Sequence, residues 1–252
     1  MERLLMIFVL SLLHINGRVC MDIIGGNEAA PHSRPYMALL DSNGLCGGAL
    51  IKPNWIVTAA HCDINDQSFA ILGAHKRNDT RGQQKIRVKK GIIHPCYNKS
   101  LKLNDIQLLQ LEKPAKLNKN VAVIAIPKRE EKIAAKKICS VAGWGLTDSR
   151  KNTQSNVLRE ANLEIVDNET CKKAYSKIQQ LIFSSMMCAG PLKNRNDDSC
   201  TGDSGGPLIC DKKYVGLVSF GPKKCGTPGF PGVYTRLTDN YLKWIRDTTG
   251  GD

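Results

Sequence analysis

The sequence predicts an all-β fold, a barrel or a sandwich, from three observations. Helix-period patterns are scarce. Short alternating or apolar runs bounded by turn residues recur instead along most of the chain. After an apolar leader, about 230 residues remain, enough for one large domain or two small packed ones with a real core. No repeat, low-complexity tract or Pro/Ser-rich linker interrupts them.

Taken in order, Glu2 and Arg3 precede an apolar run from Leu4 to Ile15, long enough for the core of a signal peptide and too short to span a bilayer. A signal peptide over 1–20 is therefore expected, then an activation dipeptide, Met21-Asp22, and a mature domain over 23–252. A buried first helix is the competing reading. No other stretch approaches transmembrane length, so no membrane span is expected.

Strands are expected over 68–75, 86–93, 106–111, 137–144, 158–166, 208–220 with a break at 211–213, and 233–237, and "WIV" reads as another. Two segments depart from the pattern. "TDNYLKWIRD" (238–247) opens on capping residues and puts Tyr241, Trp244 and Ile245 on one helical face, and "VDNETCKKAYS" (166–176) reads as a shorter helix.

Lysine and arginine outnumber the acids 36 to 23, a net charge of +13. Removing the first 22 residues leaves that balance unchanged, because Glu2 and Asp22 offset Arg3 and Arg18. The basic residues gather at 87–90, at Lys99 and Lys102, at Lys113, Lys116 and Lys119, and over 127–137. Most such runs are solvated faces, but this charge also suits an acidic proteoglycan partner. Specific nucleic-acid recognition is not expected, for no zinc-finger spacing or RNA-binding signature is present. The stretch 73–85 has one acid, Asp79, so no calcium site is expected there, nor any other metal or cofactor. Asn78, Asn98 and Asn168 open glycosylation patterns.

The chemistry centres on "DDSCTGDSGGPL" (197–208). A serine hydroxyl becomes a nucleophile when a base removes its proton and nearby donors stabilise the oxyanion. Gly202 and Gly205 around Ser204 let backbone N–H groups, those of Gly202 and Ser204, converge on one point. Taken alone, the motif could be an ordinary Gly/Asp/Ser turn. "WIVTAAHC" supplies a base, His61, beside small residues and Cys62. "NDIQLLQL" places Asp105 at the head of an apolar run, where its carboxylate is expected to be at least partly buried and to orient an imidazole.

These segments, with "IIGG" at 23–26 and "AGWG" at 142–145, resemble the chymotrypsin-fold serine proteases, and the likeness extends from residue 23 to about 246. The resemblance implies two six-stranded antiparallel β-barrels with the site in the cleft between them and a C-terminal helix. It implies that His61, Asp105 and Ser204 form a catalytic triad. Asp203 would pair with the ammonium of Ile23 once the chain is cut before that residue. Asp198 would floor a pocket for Lys or Arg, with Ser199 beside it and Gly221 and Gly232 as small walls. Asp197 receives no role.

Ten cysteines in a chain with a leader are expected to pair. Cys20 falls in the leader and leaves an odd number. The resemblance implies Cys46–Cys62, Cys139–Cys210, Cys171–Cys188 and Cys200–Cys225, leaving Cys96 over. "IIGGNEAAPHSRPYMALL" resembles the start of granzymes, and "HPCYN" and "SFGPKKCGTPGFPGVY" narrow the likeness within that group. It implies a secreted enzyme stored in cytolytic granules and a homodimer joined through Cys96. Competing readings are a mast-cell or plasma tryptic protease, and a non-enzymatic heparin-binding module on the same fold.

Overall fold

The computed structural model describes residues 26–41, 44–148, 153–193 and 198–251. Two closed antiparallel barrels of six strands each organise them. The chain enters at β1 (Asn27–Glu28), a short strand that adds to the edge of the second barrel by pairing with β11. The first barrel is β2 (Met37–Asp41), β3 (Leu45–Lys52), β4 (Trp55–Thr58), β5 (Phe69–Leu72), β6 (Gln84–Ile93) and β7 (Gln107–Leu111), in the order β2-β3-β4-β7-β6-β5. Pairing of Ala38 with Leu72 and of Asp41 with Phe69 closes the ring.

The second barrel is β8 (Ile138–Gly143), β11 (Arg159–Val166), β12 (Met186–Pro191), β13 (Pro207–Cys210), β14 (Lys213–Phe220) and β15 (Gly232–Arg236). Pairing of β8 with both β13 and β11 closes it. A small hairpin, β9 (Leu146–Asp148) with β10 (Thr153–Gln154), stands apart.

Alternation fixes which face each strand buries. In β6, Ile86 and Val88 point inward while Lys85, Arg87 and Lys89 remain exposed, so the basic run 87–90 lies on an outer face. The first barrel is filled by Leu40, Leu50, Ile56, Leu72, Val88 and Leu109, and the second by Val141, Leu163, Met187, Leu208 and Tyr234. A third cluster joins residues of both barrels, among them Val57, Leu108 and Leu217, to Tyr241, Leu242 and Ile245 of α2 (Asp239–Thr249). The C-terminal helix therefore seals the seam between barrels. Its N-cap is Thr238, and Gly250 ends it in the left-handed conformation. The shorter helix, α1 (Asn168–Ser176), is capped by Asp167 and held to β12 by the Cys171–Cys188 bridge.

Both predicted helices form, and the predicted strands appear within a few residues of their expected limits. β2, β3 and β12, with the short β1, β9 and β10, have no counterpart among the predicted runs. No helix among the described residues is long and apolar enough to cross a membrane. Residues 1–25, with the expected leader, dipeptide and Ile23, lie outside the described residues, as does Asp197.

Candidate active site

Three chain segments meet in the cleft between the barrels. His61 follows β4 in a single turn of 3-10 helix, Ala60–Cys62, and the Cys46–Cys62 disulfide ties that turn to β3. Asp105 stands just before β7, and Ser204 in the turn before β13. The His61 Nε2 atom lies 2.9 Å from Ser204 Oγ, and Nδ1 lies 2.7 Å from Asp105 Oδ2. The backbone N–H of His61 donates to Asp105 Oδ1 at 2.9 Å, so the carboxylate grips the ring and its main chain together.

Asp105 is fully buried. Burial by itself would raise its pKa, but the hydrogen bond and charge of His61, the Ser219 hydroxyl and the His61 N–H outweigh it and hold the carboxyl below its ordinary value. Ser219 Oγ donates to Asp105 Oδ2 at 2.5 Å. The carboxylate thus stays ionised, with its lone pairs aimed at the imidazole. Ser219 was not recognised in the sequence, although it opens the quoted "SFGPKKCGTPGFPGVY". Thr235, which donates to the Asp105 carbonyl oxygen at 2.9 Å, left no signal either.

The turn carrying Ser204 depends on its glycines. Gly202 has φ +102° and Gly205 has φ +80°, both in the region that disfavours side chains. A Cβ on Gly205 would also overlap Thr58 Oγ1 and sit 2.6 Å from Gly47 O. The turn is held at two points, by Gly47 N–H on Ser204 O at 2.8 Å and by Gly205 N–H on Val218 O at 2.8 Å. Neither the Gly202 nor the Ser204 N–H is engaged by another group among the described residues, and these are the donors expected to face an oxyanion.

Asp203 is buried beneath this turn. Its Oδ1 accepts the Gly145 N–H at 2.8 Å and its Oδ2 the Cys200 N–H at 3.0 Å. Burial pushes its carboxyl up to about 6, against the pull of those two N–H groups. The glycines of "AGWG" make room for it, since a Cβ on Gly145 would lie 2.5 Å from Asp203 Oδ2 and one on Gly143 would overlap Oδ1.

Asp198 is 3% exposed and lines a cleft of about 530 Å³ that also contains His61, Ser199, Ser204 and Gly221. Its Oδ2 accepts the Gly226 N–H at 2.8 Å, while Oδ1 is buried with no hydrogen-bond partner among the described residues. Burial pushes the carboxyl up to about 7, opposed by the N–H groups of Gly226 and Ser199 and reinforced by the charge of Asp203. A Cβ on Gly232 would sit 3.2 Å from Asp198 Oδ1, so any larger residue there would crowd the carboxylate. Ser199 Oγ lies 3.1 Å from Tyr234 OH. The Cys200–Cys225 bridge braces this wall, and Cys139–Cys210 joins β8 to β13.

The remaining candidates lie away from the cleft. Cys96 is an exposed free thiol. Asn78 and Asn98 are exposed, and Asn168 is half-buried in the first turn of α1. The Asn78 side chain accepts from Asn156 Nδ2 at 2.9 Å. Asp79 is taken up by Arg81 in a two-pronged ion pair.

Two closed barrels meeting at a serine, a histidine and a buried carboxylate define a serine protease of the chymotrypsin type. Residues 23–245 match the trypsin family model, and the chain belongs to that family and is a serine endopeptidase. It is 46% identical over 234 residues to granzyme A of Bos taurus, covering 92% of this chain and 90% of that protein. It is 42% identical over 232 residues to mast cell protease 3 of Ovis aries, covering 90% of this chain and 88% of that protein. Among solved structures, neuropsin, a serine protease expressed in the limbic system of mouse brain, superposes with a TM-score of 0.80 at 36% identity, over 89% of this chain and 98% of that one.

Proposed function

We propose that this endopeptidase cleaves peptide bonds on the carboxyl side of Lys or Arg. The observation that carries the reading is Asp198, which lines the cleft and whose buried Oδ1 has no partner among the described residues. A buried unpaired carboxylate is costly, and a substrate guanidinium or ammonium relieves it. Gly221 and Gly232 leave space for a long side chain.

In the proposed reaction, His61 Nε2 takes the Ser204 proton as Oγ attacks the substrate carbonyl carbon. Asp105 holds the ring and balances the charge it acquires. The Gly202 and Ser204 N–H groups receive the oxyanion. His61 then gives the proton to the leaving amine, and water reverses the sequence to release the acid. Pairing of Asp203 with a freed Ile23 ammonium gives its buried charge a partner and secures the oxyanion turn.

The test uses the processed protein with a peptide panel and a serine-directed phosphonate. Ser204 is expected to label, and cleavage after Arg or Lys to exceed cleavage after Phe or Asp. Equal cleavage after Phe removes the role given to Asp198. Failure to label Ser204 favours the non-enzymatic module.

The likeness to granzyme A and the net charge of +13 support secretion, storage in cytolytic granules and binding to acidic proteoglycan. The exposed thiol of Cys96 supports a symmetric disulfide-linked homodimer. Gels of reduced and unreduced protein should then differ by a factor of two in apparent mass. A single monomer band in both lanes removes the dimer. Glycans at Asn78, Asn98 and Asn168 are proposed as well, and one at Asn98 would crowd the Cys96 contact.

A further inference from the structure

Besides His61 and Asp198, two charged side chains line the cleft among the described residues, and they have opposite sign. Lys223 belongs to the wall that continues from Ser219, Phe220 and Gly221. It is exposed and engaged by no acid among the described residues. Asp63 lies on the other wall, next to the Cys46–Cys62 bridge and immediately beyond His61. Its backbone is left-handed, φ +51°, because it caps the 3-10 turn. Its one ion pair among the described residues is loose: Lys99 Nζ lies 3.7 Å away, and both side chains are about two-thirds exposed or more.

Substrate geometry assigns each charge to one side of the scissile bond. With a basic side chain extended toward Asp198 and its carbonyl at Ser204 Oγ, the acyl part of the peptide leaves along the wall of Gly221. Pairing of β14 with β15 stops at Phe220, so the Gly221 backbone is open to an extended strand. Lys223 follows Gly221 by two positions on the same wall, so acyl-side residues that run along Gly221 come within reach of its side chain. Because the proposed reaction has His61 give its proton to the leaving amine, the leaving part belongs on the His61 side of the cleft, where the Cys46–Cys62 bridge and Asp63 stand.

We propose that Lys223 and Asp63 are specificity-determining residues that polarise the cleft. Lys223 selects an acidic side chain two or three residues before the cleaved bond. Asp63 selects a basic one within two residues after it. The favoured substrate is a segment in which charge changes from acidic to basic across a central Arg or Lys. The inference rests on the proposed Lys/Arg preference and adds direction to it.

Each contact is an exposed ion pair, so the expected preference is modest, roughly two- to fivefold in kcat/KM. It should shrink as added salt shortens the screening length from about 8 Å. The experiment compares quenched peptides with one central Arg, carrying Glu or Gln before it and, separately, Gln or Glu after it, so that no second Lys or Arg offers another cleavage site. The processed protein, Lys223→Glu and Asp63→Lys are each assayed, and the ratio within each pair is read so that a general loss of active enzyme cancels. Lys223→Glu should reverse the first ratio and leave the second; Asp63→Lys should do the opposite. Ratios near one in the unmodified protein, or ratios that neither substitution moves, overturn the proposal. A single-residue arginyl amide is run alongside. If it is not cleaved, the Lys/Arg reading has failed; if it is cleaved while the ratios stay flat, only the polarised cleft is lost.

Discussion

Asp198 and Asp105 are both buried carboxylates, yet their surroundings drive them in opposite directions. Asp105 has His61 and Ser219 to hold its charge, whereas Asp198 has two backbone N–H groups and an orphaned oxygen. A folded-state pKa of about 7 for Asp198, above the ordinary carboxylate value, contributes stability that is full below the unfolded pKa and lost as pH rises through about 7. Replacing it with Asn removes that titration. Thermal melts should therefore show the Asp198→Asn variant gaining on the parent protein as pH rises from about 4 to about 8. A constant difference in melting temperature would contradict the raised pKa. In kinetics, kcat/KM for arginyl peptides should fall as pH drops below about 7, partly because a protonated Asp198 no longer pairs with a guanidinium. The same carboxylate was legible in the sequence as a candidate. Its missing partner was not, since an orphaned oxygen exists only where chain segments have closed around it.

The turn between Cys200 and β13 is the element on which Ser204, the proposed nucleophile, depends. Ala at position 205 would meet both a backbone that disfavours side chains and a collision with Thr58 and Gly47. Gly205→Ala should cost about 2 kcal/mol or more in chemical denaturation and most of the activity toward arginyl peptides. Retained activity with unchanged stability would show that the turn relaxes freely. Elements differ in how plainly the sequence announces them. The amphipathic run of α2 and the alternation in β6 identify themselves, because one face of each is wet. β2, "MALLD", and β12, "MMCAGP", contain few residues that favour strands, and β12 has Gly190 within it. They are strands because each lies between two others, β2 between β3 and β5 and β12 between β11 and β15. Neighbours that saturate both edges override weak local preference.

Across the whole molecule, the excess of positive charge has a definite address. The outer face of β6, with Lys85, Arg87, Lys89 and Lys90, adjoins the segment bearing Lys113 and Lys116. Gln84 and Lys116 exchange two hydrogen bonds, and Glu112 N–H donates to Arg87 O. Two basic runs that are separate in the chain therefore form one patch. Retention on a sulfated polysaccharide column should fall steeply with salt, and joint replacement of Lys89 and Lys90 by Glu should lower the salt needed for elution. Elution at the same salt would make this patch an ordinary solvated face. The patch lies on the first barrel, whereas Asp198 and Ser204 come from segments of the second, so bound polyanion and the reacting peptide need not compete for the same side chains.

The sequence by itself determined the all-β class, the two helices and the residues that bear the chemistry, because periodicity, capping and short glycine-rich motifs act within a few residues of chain. Tertiary structure decided which distant groups meet. His61 and Ser204 lie 143 positions apart and His61 and Asp105 lie 44 apart, and Ser219 joins them from yet another strand. Their distances of 2.5–2.9 Å follow from closure of two barrels and from the shared core that fixes one against the other, a packing result that no local preference encodes.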